Sequence, residues 1–202
     1  MIIYVESNFV LEVAFAQEES QACEEILDLA EAGRVDIVLP AFSISEPYDT
    51  LRRRETRRSK LHDDVARELG ELGRTASYAE QVERLLGPLG LLVQSSDDET
   101  SRLDGTLERL VAIAELVAVD AGILVRAIDL REERGLAPQD AIVYSSVLQN
   151  LETRNAGEEK RFLNRNTRDF VTPDIQADLE PFSCRIVPSF NDGLAWLRAA
   201  LD

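Results

Sequence analysis

Three acidic residues stand just beyond short apolar runs, and a fourth opens one. Glu6 follows IIYV directly, in YVESN, and Glu46 lies a few residues past VDIVL, in SISEP. Asp169 follows RFLN by five residues, in RNTRDF, and Asp140 opens an apolar stretch, QDAIV. Carboxylates that gather in one place repel one another, and some must stay protonated unless a cation compensates them. A divalent cation removes that cost. Mg²⁺ and Mn²⁺ take oxygen ligands, and Mg²⁺ keeps several waters beside one or two carboxylates. Such a site polarises a phosphodiester and makes a water acidic enough to attack near neutral pH.

That chemistry needs neither histidine nor cysteine, which suits this chain. His62 is the only histidine, and it lies in the charged stretch RRSKLHDDVARE, where a helix surface is the natural place for it. A Ser-His-Asp or Cys-His enzyme needs its imidazole in a pocket beside the nucleophile. Cys23 and Cys184 stand alone, without zinc-like spacing or a disulfide framework, so a reducing cytoplasm is the expected compartment. Neither GxxxxGK[ST] nor GxGxxG occurs, so a phosphate-cradling loop is not expected. The N-terminus has no basic region ahead of an apolar one, and no apolar run spans a membrane, so neither a signal peptide nor a membrane anchor is expected. A net charge of −16 excludes a general electrostatic affinity for nucleic acid, though not a local basic strip.

The acids need a scaffold that brings them together. Four segments read as strands: 2–5, 35–39, 161–164 and 184–187. A helical stretch over about 9–32, closed by Gly33, joins the first two. Strand, helix, strand at this spacing is a βαβ unit and therefore a parallel sheet. In such sheets the binding crevice lies at the C-terminal ends of the strands. All four acids can converge there. Past Pro40 a long charged helix runs to about Gly70. SSDDET (95–100) reads as a helix break, and a further helix starts near Pro138. NAGEEK (155–160) reads as a loop, and NDGLAWLRAAL as a terminal amphipathic helix. At 202 residues the chain is one domain, with 60–117 as a helical insertion.

At this point the chain resembles the PIN domain family. The matching pieces are YVESNFVLE, LPAFSISEPYDTLRR, GLAPQDAIVYSS and FLNRNTRDF, in the family's order, within about 2–52 and 118–190. The resemblance implies a three-layer α/β/α sandwich around a parallel sheet, binding Mg²⁺ or Mn²⁺ and hydrolysing RNA. It also implies kinship with toxins of toxin–antitoxin pairs, with an antitoxin-like protein inhibitor or a second copy of the chain as partners. Glu6, Glu46 and Asp140 take the positions of the first three acids, and Asp169 takes an acid of the last motif. Ser7 takes the position of a small hydroxyl residue at the metal water. Two positions depart from the family. Glu6 stands where Asp is usual, and displacements of ~1 Å in a site can cost ~10²-fold in rate. Asn166 stands where the last motif often has an acid.

Blander readings exist for each residue. Glu6 fits a turn, Asp140 a helix N-terminus, and Ser43 with Glu46 has the spacing of a capping box. LRRRETRRSK (51–60) carries Arg52, Arg53, Arg54, Arg57, Arg58 and Lys60 against one acid. It reads as a solvated face, as a track for RNA phosphates together with Arg165 and Arg168, or as a dock for an acidic partner. The replacement of Asp by Glu6 leaves a second function class open: a catalytically weakened PIN-like module that binds RNA or protein. A phosphohydrolase of the DxD type is disfavoured, because YVESN lacks the second acid.

Overall fold

Strand β1 (Ile2–Tyr4) runs through the middle of a five-stranded sheet, between β2 (Asp36–Pro40) and β4 (Lys160–Leu163). The structure is a computed structural model and describes residues 1–201. Strand β3 (Glu115–Val117) lies outside β2, and β5 (Cys184–Val187) outside β4. Every pairing is parallel, and Tyr4 stands level with Val38 on one side and Phe162 on the other.

Alternation along β1 divides the core in two. Ile3 and Val5 face one helical layer, while Ile2 and Tyr4 face the other. The first layer is α1 (Ser7–Ala14), α2 (Ser20–Glu31), the inner half of α5 (Leu91–Ile113) and α10 (Phe190–Leu201). The second is α6 (Ala121–Arg134), α7 (Pro138–Glu152), the one-turn α8 (Thr167–Phe170) and α9 (Pro173–Leu179). This is the expected three-layer α/β/α sandwich. Gly193 sets how closely α10 approaches the sheet: a Cβ there would come within 2.8 Å of the Leu163 side chain. Helix α3 (Ser45–Gly73) leaves the sheet edge, and α4 (Ala79–Leu89) and α5 return the chain. No helix among the described residues is long and apolar enough to cross a membrane.

Three local readings need correction. The helix expected over 9–32 is two helices, because Ala16 takes a left-handed backbone (φ 48°) and ends α1. The buried Glu12 carboxylate then takes the Glu19 N–H at 2.5 Å, which fixes the start of α2. SSDDET is not a break. It lies within α5, where Glu99 turns inward to Arg54 and Arg58 of α3, and Thr100 Oγ1 bonds back to the Ser96 carbonyl. Residues 115–117, read as the end of a helical insertion, instead pair with β2 as the sheet's edge strand.

The Glu99 contact anchors the long helices. Its side chain is 6% exposed, and its two oxygens accept from Arg54 at 2.8 Å and from both Arg58 nitrogens at 2.9 Å. Removing it leaves two partly buried guanidinium groups without a counter-charge. Glu99→Ala is therefore expected to destabilise the protein by about 3 kcal/mol, read as a lower urea midpoint. A change below about 0.5 kcal/mol, the scale of an exposed pair, would contradict this role.

Candidate active site

The C-terminal end of β1 places Val5 and Glu6 at the centre of the sheet edge. Glu6 occupies the N-cap position of α1 in extended conformation, makes no capping hydrogen bond, and is 5% exposed. The Phe9 N–H closes a turn onto the Glu6 carbonyl at 3.0 Å. Ser7, next in the chain, has its Oγ 2.5 Å from Glu6 Oε2 and 2.7 Å from Glu46 Oε2. A hydroxyl carries one hydrogen and cannot donate to both. Two carboxylate oxygens held this way require a further proton or a cation.

Glu46 reaches Ser7 because a 3-10 turn, Ala41–Ile44, carries the chain from β2 into the first turn of α3. The capping box suggested by the Ser43–Glu46 spacing does not form. The N-cap position is Ile44, and the buried Ser43 Oγ has no hydrogen-bond partner. Asp140 sits in the first turn of α7, whose start is set by Pro138. Asp169 lies in α8 and accepts from Asn166 Nδ2 at 2.9 Å.

These positions shape the electrostatics. Burial pushes the Glu6 carboxyl up to about 7, against hydrogen bonding from Ser7 and the nearby Asn8 N–H, with Glu46 and Asp140 adding to the rise. Burial also raises Asp140 to about 6, helped by the charges of Asp169 and then Glu46. Asp140 is also the acidic residue of the first turn of α7, where the helix N-terminus favours a negative charge.

Sequence reasoning missed Asn164. Continuing the register of Tyr4 with Phe162 sets Asn164 level with Glu6. It is fully buried, its Oδ1 accepts from Asn8 Nδ2 at 3.3 Å and the Asn166 N–H at 2.8 Å, and its Nδ2 has no partner. The signal was present: a polar residue directly after an apolar strand, as with Glu6. Among the described residues, four buried side-chain polar atoms lack partners, and Glu6 Oε1, Ser43 Oγ and Asn164 Nδ2 are three of them. All three lie at this sheet edge. Buried polar groups are normally satisfied, so a local excess points to something the edge is built to receive.

Among the described residues, no group of three or more His, Cys, Asp or Glu side chains is placed to hold a metal ion. The acids instead form overlapping neighbours: Glu6 with Glu46 through Ser7, and Asp140 with both Asp169 and Glu46. Their donors are all oxygens, and Glu6 Oε1 is buried and unused. This set fits a hard cation that keeps waters and takes few protein ligands.

The arginines divide. Arg54 and Arg58 are committed to Glu99, and Arg54 also lies 3.9 Å over the Phe15 ring. Arg165 pairs with the buried Glu12 at 2.7 Å and with Glu18 at 3.6 Å. Arg52 pairs with exposed Asp49, and Arg53 lines a cleft with Glu46 and Asp140. Arg57 and Arg168 are exposed and form no ion pair among the described residues. His62 makes only a local contact with Asp63 on the outer part of α3.

The chain is a parallel α/β/α sandwich with one buried acid, Glu6, at the end of its central strand and three less buried acids near that edge. A family model described as PIN domain matches residues 3–170, a span that contains all four acids. The chain belongs to the PIN domain family, whose members are generally nucleases that use divalent metals. No curated protein and no solved structure matches the chain.

The raised Glu6 carboxyl has a measurable consequence. Between its ordinary 4.5 and about 7, the folded state holds a proton that the unfolded state has lost. Stability with a chelator present is then highest below this window and falls as pH rises through it. Glu6→Gln should flatten that fall and stabilise the protein above about pH 7, by on the order of 3 kcal/mol. Parallel melting curves of wild type and variant between about pH 5 and 8 would contradict the assignment.

Proposed function

We propose that the protein is a metal-dependent endoribonuclease, with Mg²⁺ or Mn²⁺ held by Glu6, Glu46, Asp140 and Asp169. The observation that carries the reading is the Ser7 hydroxyl held between the Glu6 and Glu46 carboxylates, beside an unused buried oxygen of Glu6. Bound there, a divalent cation supplies Lewis-acid charge to a phosphoryl oxygen and acidifies a water. Ser7 fixes the facing carboxylate oxygens, and with Asn166 it orients water at the edge. Asn166 also holds Asp169 in place through its amide. Arg52, Arg53, Arg57 and Arg168 serve as contacts for RNA phosphates. Arg54, Arg58 and Arg165 support the site through the internal pairs they already make.

In this reading residues 60–117, helical apart from β3, are an insertion within one PIN domain over 1–202. A cytoplasmic toxin restrained by an antitoxin-like protein, and acting as a homodimer, is the biological setting we propose for it. The competing reading is a weakened PIN domain that binds RNA or a protein without cleaving. Glu6 in place of the family's usual Asp favours it. Turnover separates the two.

With Mn²⁺ or Mg²⁺, the wild-type protein is expected to cut RNA internally, and EDTA to stop it. Asp140→Asn should lose about a hundredfold or more in rate while melting no lower than wild type, since it relieves a destabilised charge. RNA binding without metal-dependent cleavage would favour the competing reading. Equal cleavage by wild type and Asp140→Asn would refute the site.

A further inference from the structure

We infer that the cleft beside Glu46 and Asp140 binds one unpaired nucleobase, stacked on Phe42, at the nucleotide next to the scissile phosphate. This rests on the reading of the acidic edge as an RNA-cleaving site. The cleft has a volume of about 340 Å³, on the scale of a single nucleotide, and it opens between the 3-10 turn, the first turns of α3 and the start of α7.

Its walls decide what fits. Phe42, Ala137 and Val143 are its apolar lining residues. Glu46, Asp49 and Asp140 place three carboxylates around it against the single cation of Arg53. A nucleobase is uncharged, with apolar faces and a polar edge, and it suits the combination. Gln139 lines the rim with an amide that both donates and accepts, so it can meet a base edge. Ser43, whose buried Oγ has no partner, is also among the lining residues.

Phe42 itself is otherwise hard to explain. Phe9, Phe15, Phe162, Phe170, Phe182 and Phe190 all belong to or pack against one of the two hydrophobic cores. Among the described residues Phe42 alone does neither, and it stays half-buried at the cleft while its neighbour Ile44 packs inward. An aromatic face set beside a phosphate-reacting edge is how proteins hold an unstacked base. The same contact would exclude a base that is held in a duplex.

The test compares wild type, Phe42→Leu and Phe42→Tyr on a short single-stranded oligoribonucleotide with Mn²⁺. The same RNA is also made with an abasic residue beside the mapped cleavage point. Phe42→Leu should raise KM about fivefold or more with little change in kcat, and Phe42→Tyr should restore wild-type behaviour. On the abasic RNA the difference between Leu and wild type should vanish. Wild-type KM in Phe42→Leu would overturn the inference while leaving the nuclease reading intact. A loss that persists on the abasic RNA would also overturn it, by showing that Phe42 supports the turn rather than a base. Absence of any cleavage by wild type would instead remove the nuclease reading, and this inference with it.

Discussion

Burial of the Glu6 carboxylate at the end of the central strand is the constraint around which the rest of the molecule is arranged. An ionised carboxylate out of water is costly unless it is paired or neutralised. Here its immediate neighbours are a hydroxyl, the Asn8 N–H and further acids, with no cation among them, and its oxygen Oε1 has no partner. A fold selected only for stability would not retain this. The neighbouring Glu12, equally buried, shows the ordinary solution, since Arg165 and the Glu19 N–H satisfy it. The chain can thus neutralise buried acids with arginine, and does so one helical face away from the edge. At the edge it does not.

Topology turns that local cost into a site. Because β1 is central, its end is flanked by the ends of β2 and β4, and the acids that follow those strands are brought toward Glu6. Asp140 arrives from α7, which is pinned by its long apolar contact with the sheet. The internal ion pairs at Glu99 and Glu12 matter to this arrangement. They anchor α3 and the β4–α8 connection, and so keep Glu46 and Asp169 where they are.

Much of this was legible in the chain. The strands at 2–5, 35–39, 161–164 and 184–187 can be read as short apolar runs, and the rule that ligands sit at strand ends then draws attention to Glu6, Glu46 and Asp169, with Asp140 at the start of a helix. Gly33 closes its helix in the left-handed conformation expected of it (φ 67°), and Pro138 starts α7. What was not legible depends on tertiary contacts. Strand β3 is three residues long with two of them exposed, too short for a periodic signal. The polar run at 95–100 stays helical only because Arg54 and Arg58 wait across the interface. The division of the arginines into structural and free ones has the same origin: successive residues of α3 are turned by about 100°, so Arg54 and Arg58 meet α5 while Arg53 and Arg57 do not share their pairing. Asn164 was passed over because an amide carries no charge to attract notice, although the register places it beside Glu6.

The most direct test of this account is a calorimetric Mn²⁺ titration of the wild-type protein near pH 6.5, repeated in two buffers of different ionisation heat. Glu6, with its carboxyl raised to about 7, is largely protonated there, and Asp140, raised to about 6, only partly so; a bound cation must displace these protons. The account predicts binding with net release of protons, seen as a heat that differs between the buffers. Absence of Mn²⁺ binding, or binding with the same heat in both buffers, would contradict the claim that these buried acids are kept for a cation.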